Sequence, residues 1–262
     1  MTLEAVPFDD RGLLLGDGLF ETLLAVDGRL VLAEAHADRM VRGAAVLAIP
    51  APTPEDFVAC AATAVRAADL LDGRAAVRVT LTAGSGGRGL DRPATLTPRL
   101  FATAARSVKP SAPAALLIAR TRRNAASPAS RLKALAYLDN VLARREAAQA
   151  GADEAVMLNT EGAVACAAAA NLFWIRNDVL FTPGPGTGRL DGIMAGQVAD
   201  AAIGLGLEVR EVSEGSESLE AAEAIFLTSS LIGVRPAYLA GQAPTVPHAL
   251  IERLAAAVAH VT

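Results

Sequence analysis

The sequence predicts an α+β fold in two domains, on three observations. Stretches with the 3.6-residue apolar period of amphipathic helices are mixed with short alternating or β-branched runs that read as strands. The 262 residues suffice for one large domain or two modest ones, each with its own core. A Pro/Ser-rich break at 107–113, S-V-K-P-S-A-P, separates an N-terminal α/β domain, 1–107, from a C-terminal domain, 114–262, with 108–113 as linker.

Local signals place the N-terminal elements. At 16–22 the run G-D-G-L-F-E-T leads from a glycine-punctuated loop into an apolar strand, and Val26-Asp27-Gly28-Arg29 marks a hairpin turn. The run E-A-H-A-D-R-M at 34–40 opens a helix that continues to about residue 47. His36 and Arg39 on it read, by themselves, as a structural histidine and a solvated charge. Residues 54–68 read as a second helix, with Thr53 as N-cap, Pro54 at the first position and Glu55 in the first turn. Cys60 on that helix is a small buried hydrophobe. Residues 75–82 alternate and are rich in Val and Thr, as a strand is. The loop A-G-S-G-G-R-G-L at 83–90 matches neither the P-loop nor the dinucleotide fingerprint. Alone it reads as a flexible surface loop or a phosphate cradle. Residues 100–105 are another strand.

Beyond the break, 116–120 resumes the strand pattern and 121–130 is a polar loop leading to Lys133. Lys133 is expected at the mouth of a helix, with Leu135, Leu138, Val141 and Leu142 on its apolar side and Asp139, Arg144, Arg145 and Glu146 on its polar side. Periodicity alone makes it a solvated lysine. A strand at 153–158 and a turn at 159–162 precede a small-residue run, 164–170, that ends in N-L-F-W at 171–174. After a turn at 176–178, a strand breaks into a Gly/Pro loop over 179–188. L-D-G-I-M at 190–194 then opens a helix to about residue 203, whose first N–H groups suit an anion. A strand at 208–212, a short helix at 219–223, a strand at 225–228 ending in T-S-S-L, and a terminal helix at 246–260 complete the chain. His248 and His260 are expected to be exposed and idle.

Bulk properties exclude several classes. Aromatics are only 4% against 52% hydrophobic residues, so the core is built from Ala, Val and Leu. The net charge of -4 comes from interspersed charges with no basic stripe, which argues against nucleic acid. Two cysteines, Cys60 and Cys166, form neither a disulfide framework nor a metal spacing. No apolar run is long enough to span a bilayer, and the first residues lack the basic and apolar segments of a leader. The expectation is a soluble cytoplasmic protein.

The lysine before a helix, the run ending in N-L-F, and the motifs G-D-G-x-F-E-T, H-x-x-R, G-S-G-G-R-G and L-x-G-I-M together resemble the class-IV aminotransferase family. These are pyridoxal-phosphate (PLP) enzymes of fold type IV, among them branched-chain and D-amino-acid aminotransferases and aminodeoxychorismate lyase. The resemblance covers almost the whole chain. It implies a two-domain fold with PLP between the domains, a homodimer and a small-molecule amino substrate. It implies that Lys133 is the Schiff-base lysine, and that Arg39, the backbone of Ile193 and Met194, Ser230 and the Leu231 backbone hold the phosphate. By the same resemblance Leu190 is expected to pack on the ring, Phe20 to face the substrate and Arg88 to be a candidate for holding a substrate carboxylate. His36 remains structural.

One position departs from the family. A glutamate five residues before the asparagine of N-L-F contacts the pyridine nitrogen there; this chain has Cys166. A thiol is a weak donor and a weak acceptor, so the ring nitrogen is expected to be neutral. A second, smaller departure is Ala195, where the family often has arginine. Cys166 and the glycine loop lean towards the lyase, because a leaving group drains charge that a transaminase must hold on the cofactor. A transaminase of D- or branched-chain amino acids or amines is the second reading. A non-catalytic binding protein that retains the fold is the third.

Overall fold

A computed structural model describes residues 5–244 and 248–262. The chain forms two compact units, one of residues up to Val108 with Leu132–Ala136, the other of Lys109–Arg131 with the residues from Tyr137 onward. The mixed α+β, two-unit organisation read from the sequence is the one observed.

The first unit is an antiparallel sheet, in the order β2 (Arg29–Leu30), β1 (Gly18–Val26), β3 (Arg74–Thr82), β4 (Arg99–Arg106). The Asp-Gly signal holds: Val26 pairs with Arg29 across a turn in which Asp27 and Gly28 both have positive φ, 48° and 74°. Alternation along β1 sends Leu19, Leu23 and Ala25 into a core shared with Val77, Val79 and Leu81 of β3. Met40 and Ala44 of α2 (Ala33–Val46) and Phe57, Ala61 and Val65 of α3 (Pro54–Ala67) cover that face. Thr53 caps α3, accepting from Asp56 N at 3.1 Å. Residues 11–15, expected as loop, form a short helix, α1 (Arg11–Leu15), because Asp10 accepts from Gly12 N at 2.8 Å and caps it.

Lys133 also belongs to this unit, and here the structure corrects the expectation. It is not on a helix. Lys133 O accepts from Phe20 N at 2.9 Å and Leu135 N donates to Gly18 O at 3.0 Å, so the segment adds to the edge of β1 as a short antiparallel bridge. Main-chain pairing with β1 overrides the helical propensity of K-A-L-A.

The second unit is an eight-stranded mixed sheet. Its strands are β5 (Ala114–Ile118), β6 (Glu154–Leu158), β7 (Val164–Ala167), β8 (Asn171–Arg176), β9 (Val179–Pro183), β10 (Val209–Val212), β11 (Ala224–Ser229) and β12 (Gly233–Leu239). The order is β10-β9-β8-β11-β12-β5-β6-β7. Trp174 and Phe181 stack at 6.0 Å within its core, and Phe173 and Phe226 at 5.1 Å. The helices are α4 (Leu138–Gln149), α5 (Ile193–Gly204), α6 (Glu217–Glu220) and α7 (Ala249–Ala257). β12 was not legible because Pro236 breaks its pattern. Pairing with β5 starts only at Ala237, so β11 alone flanks the proline.

The apolar side expected for the helix after Lys133 is reversed. Leu138, Val141 and Leu142 are exposed, while Asn140, Ala143 and Ala147 are buried. The two alanines let α4 lie close on Ala155 and Met157 of β6, in a cluster that also holds Cys166. The short helix expected at 219–223 starts two residues earlier, and the terminal helix runs from Ala249, with 245–247 outside the described residues. Among the described residues no helix is long and apolar enough to cross a membrane, and no cluster of His, Cys, Asp and Glu could hold a metal.

Candidate active site

In the first unit the candidate residues gather around β1. Phe20 lies on the face opposite the helices. Lys133 Nζ stands 4.5 Å from its ring centroid, and the guanidinium of Arg78, on β3, stands 3.8 Å from the same centroid. Two cations close to one aromatic ring form an arrangement suited to carboxylate-bearing ligands. From sequence Arg78 reads only as an outward charge on an alternating strand.

Glu21, one residue on, points to the helix side and is only 1% exposed. Arg39 grips it side-on, Nε to Oε1 at 2.8 Å and Nη2 to Oε2 at 2.6 Å, and His36 Nδ1 lies 2.7 Å from Oε2. Burial pushes the Glu21 carboxyl up, but hydrogen bonds and charge from Arg39 and His36 outweigh it and hold the pKa at about 2. Burial also holds His36 below its ordinary value, helped by the charges of Arg39 and Lys133 and opposed by Glu21. The imidazole is therefore neutral at pH 7 and Nδ1–H donates to Glu21. His36 is structural, as expected. Nothing in the sequence marks out Glu21 within its motif, yet its carboxylate fixes the plane of the Arg39 guanidinium.

In the second unit, Asn171 opens β8 opposite Thr228 of β11. Its Nδ2 donates to Leu190 O at 2.8 Å. A Cβ on Gly192 would run into Asn171 Oδ1, so only glycine lets the 190–192 segment lie against this amide. The segment delivers the first turn of α5, where, among the described residues, no side chain caps the N–H groups of Ile193 and Met194. At the end of β11, Thr228 Oγ1 is fully buried with no hydrogen-bond partner among the described residues. Ser230 and Leu231 follow it, both half-buried. Uncapped helix donors beside an orphaned hydroxyl fit a phosphate. Asn171 and Thr228 were missed as site residues. The asparagine of N-L-F carried the only signal.

Cys166 faces Met157 across the β6–β7 pair and is buried among alanines. Burial raises its thiol pKa, with the charge of Arg123 opposing, so the side chain is an uncharged thiol at neutral pH. Arg88 is exposed at the tip of the glycine loop in the first unit. Loop carbonyls turn onto Arg11, so the loop is no phosphate cradle.

The sequence pattern of the amino-transferase class IV family matches residues 18–238. An aminodeoxychorismate lyase of Bacillus subtilis is 29% identical over 88% of this chain and 79% of its own length. The crystal structure of a 4-amino-4-deoxychorismate lyase from Pseudomonas aeruginosa superposes with a TM-score of 0.84 at 28% identity, covering 98% of this chain and 95% of that one. A branched-chain aminotransferase from Thermoproteus uzoniensis, solved with norvaline, gives 0.88 at 26% identity over 97% and 88%. With the family pattern spanning Phe20 to Leu231, the chain belongs to the amino-transferase class IV family and is a PLP-dependent enzyme.

Proposed function

We propose that the enzyme is a 4-amino-4-deoxychorismate lyase, giving 4-aminobenzoate and pyruvate. The observation that carries this reading is the uncharged thiol of Cys166, buried among alanines at the position where the family's glutamate would charge the pyridine nitrogen. PLP, when bound, withdraws electrons and acidifies the C–H beside the substrate amine. Lys133 Nζ would hold the cofactor covalently and, once released by the incoming amine, would take that proton. With no carboxylate at position 166, charge would best be drained by a departing group, here enolpyruvate, which leaves with the electrons of its C–O bond as the ring becomes aromatic and then takes up a proton to become pyruvate. Similarity to two lyases supports the assignment.

From the first unit we assign Arg39 to the phosphate, held in plane by Glu21, and Phe20 and Arg88 to the substrate. From the second we assign the N–H groups of Ile193 and Met194, with Ser230 and the Leu231 backbone, to the phosphate, and Leu190 and Cys166 to the ring. Thr228 Oγ1 joins the phosphate set. A homodimer accompanies this reading, supported by the exposed Leu138, Val141 and Leu142 along α4. A cytoplasmic location goes with it.

Gly192→Ala should cost about 1–3 kcal/mol in cofactor binding, because the new methyl displaces Asn171 and tilts the first turn of α5. Equilibrium dialysis against PLP measures it, and wild-type affinity would show that the turn is not a phosphate site.

The function itself is tested by incubating the holoenzyme with 4-amino-4-deoxychorismate and, in parallel, with a panel of D- and L-amino acids plus 2-oxo acids. Release of 4-aminobenzoate is expected. Robust amino transfer without it establishes the second reading, a transaminase of D- or branched-chain amino acids or amines, which the likeness to the Thermoproteus enzyme favours.

A further inference from the structure

The glycine-rich segment after β3 takes its shape from one side chain. Arg11, the first residue of α1, is 5% exposed, and its Nε pairs with Asp17 Oδ2 at 2.8 Å. Its Nη1 reaches Asp91 O at 3.0 Å and both Gly86 O and Gly89 O at 3.4 Å, and its Nη2 donates to Leu90 O at 3.1 Å. Four loop carbonyls therefore turn onto one guanidinium. The planar fork carries five donors and no acceptor, which suits a ring of carbonyls.

The anchor is itself held. Arg92 clamps Asp17 from the other side, Nε at 3.0 Å and Nη2 at 2.5 Å, and also donates to Leu47 O. At the root of the loop, Thr82 Oγ1 donates to Asp10 Oδ2 at 2.8 Å. At the tip, Arg88 N donates to Asp91 O at 3.2 Å and Asp91 N to Arg88 O at 3.1 Å. Gly87 has φ 81°, and a Cβ there would run into Asp91 O, so the loop backbone packs on itself. The side chains left pointing outward include Arg88 and Leu90, the latter 84% exposed.

We propose that Arg11 is a positioning residue for substrate recognition. It fixes the backbone of Arg88, so that this guanidinium meets the carboxylate of an anionic substrate already oriented. The inference rests on the assignment of Arg88 to the substrate. A loop that is ordered beforehand spares the ordering cost at binding, and only the Arg88 rotamer remains to be fixed. Lysine at position 11 keeps the charge beside Asp17 but cannot reach four carbonyls at once.

The test compares holoenzyme forms of the wild type, Arg11→Lys, Arg88→Ala and the double variant. KM and kcat are measured on the carboxylate-bearing substrate that the activity screen identifies, and the rate of tryptic cleavage after Arg88 is followed where that residue is present. Arg88→Ala is expected to raise KM about 10- to 100-fold, the size of a lost charge-assisted hydrogen bond. Arg11→Lys is expected to raise KM roughly 3- to 10-fold, more than it lowers kcat, and to speed cleavage after Arg88. The double variant should be no worse than Arg88→Ala, because the two act through one contact. Faster cleavage with unchanged KM would mean that Arg11 is only structural and would overturn the proposal. Multiplicative effects in the double variant would overturn it too. If Arg88→Ala leaves KM unchanged, the substrate assignment of Arg88 fails first and the inference falls with it. Asp17→Asn, which loosens Arg11 without removing it, gives the same reading should Arg11→Lys not fold.

Discussion

Replacing Lys133 by alanine is expected to remove turnover, by at least about 10³-fold, while leaving the protein folded. On the assignment proposed above, the side chain supplies both the amine that attaches PLP and the carrier of the substrate proton, so no partial function would survive its loss. The fold should tolerate the change because the bridge to β1 is made by main-chain atoms: Phe20 N to Lys133 O, and Leu135 N to Gly18 O. What is lost in packing is the contact of Nζ with the Phe20 ring, worth about 0.5–2 kcal/mol. Lys133→Arg separates charge from reactivity. It keeps a cation near Phe20 but offers no amine of accessible pKa, and should be as inactive as the alanine form. Single-turnover assays beside circular dichroism and a thermal melt measure both. A folded variant that keeps more than roughly a tenth of wild-type kcat would remove Lys133 from the chemistry.

How much of this was legible in the sequence depended on where the determining forces lie. The hairpin at Asp27-Gly28, the cap at Thr53 and the start of α5 at Ile193 are fixed by residues within a few positions, and the sequence reading placed them within a residue or two. Lys133 stands out in the sequence, but its element does not: it lies on a bridge to β1 and not on a helix. Its conformation is set by β1, more than a hundred positions away. The face of α4 was misread for a similar reason: close approach to β6 needs small residues, so Ala143 and Ala147 go inside and the larger Leu138 and Val141 stay out. The loop at 83–90 read as flexible because nothing nearby in sequence suggests that Arg11 gathers its carbonyls. Glu21, Asn171 and Thr228 were missed because their roles are defined by partners on other elements.

Glu21 carries the largest expected effect on stability. It lies under the sheet, nearly inaccessible, and joins β1 to α2 through His36 and Arg39. Glu21→Ala would leave the Arg39 guanidinium partly buried without its carboxylate and should cost about 3–5 kcal/mol. Glu21→Gln keeps the shape and one acceptor and should cost about 1–3 kcal/mol. Denaturant melts at pH 7 measure both. The pH dependence separates charge from shape. The folded pKa of about 2 lies below the ordinary 4.5, so the stabilisation is complete above pH 4.5 and is lost as pH falls from there towards 2. His36 acts in the same direction at higher pH: burial depresses its pKa, so its contribution is present above 6.5 and lost as pH falls below it. In Glu21→Gln the step between 4.5 and 2 should vanish, and the gap to the wild type should narrow across that window. Parallel profiles for the two proteins would mean that folding does not depress the Glu21 carboxyl pKa. In that case Arg39 would be held by something other than charge, and its assignment to the cofactor phosphate would lose the geometric support it now has.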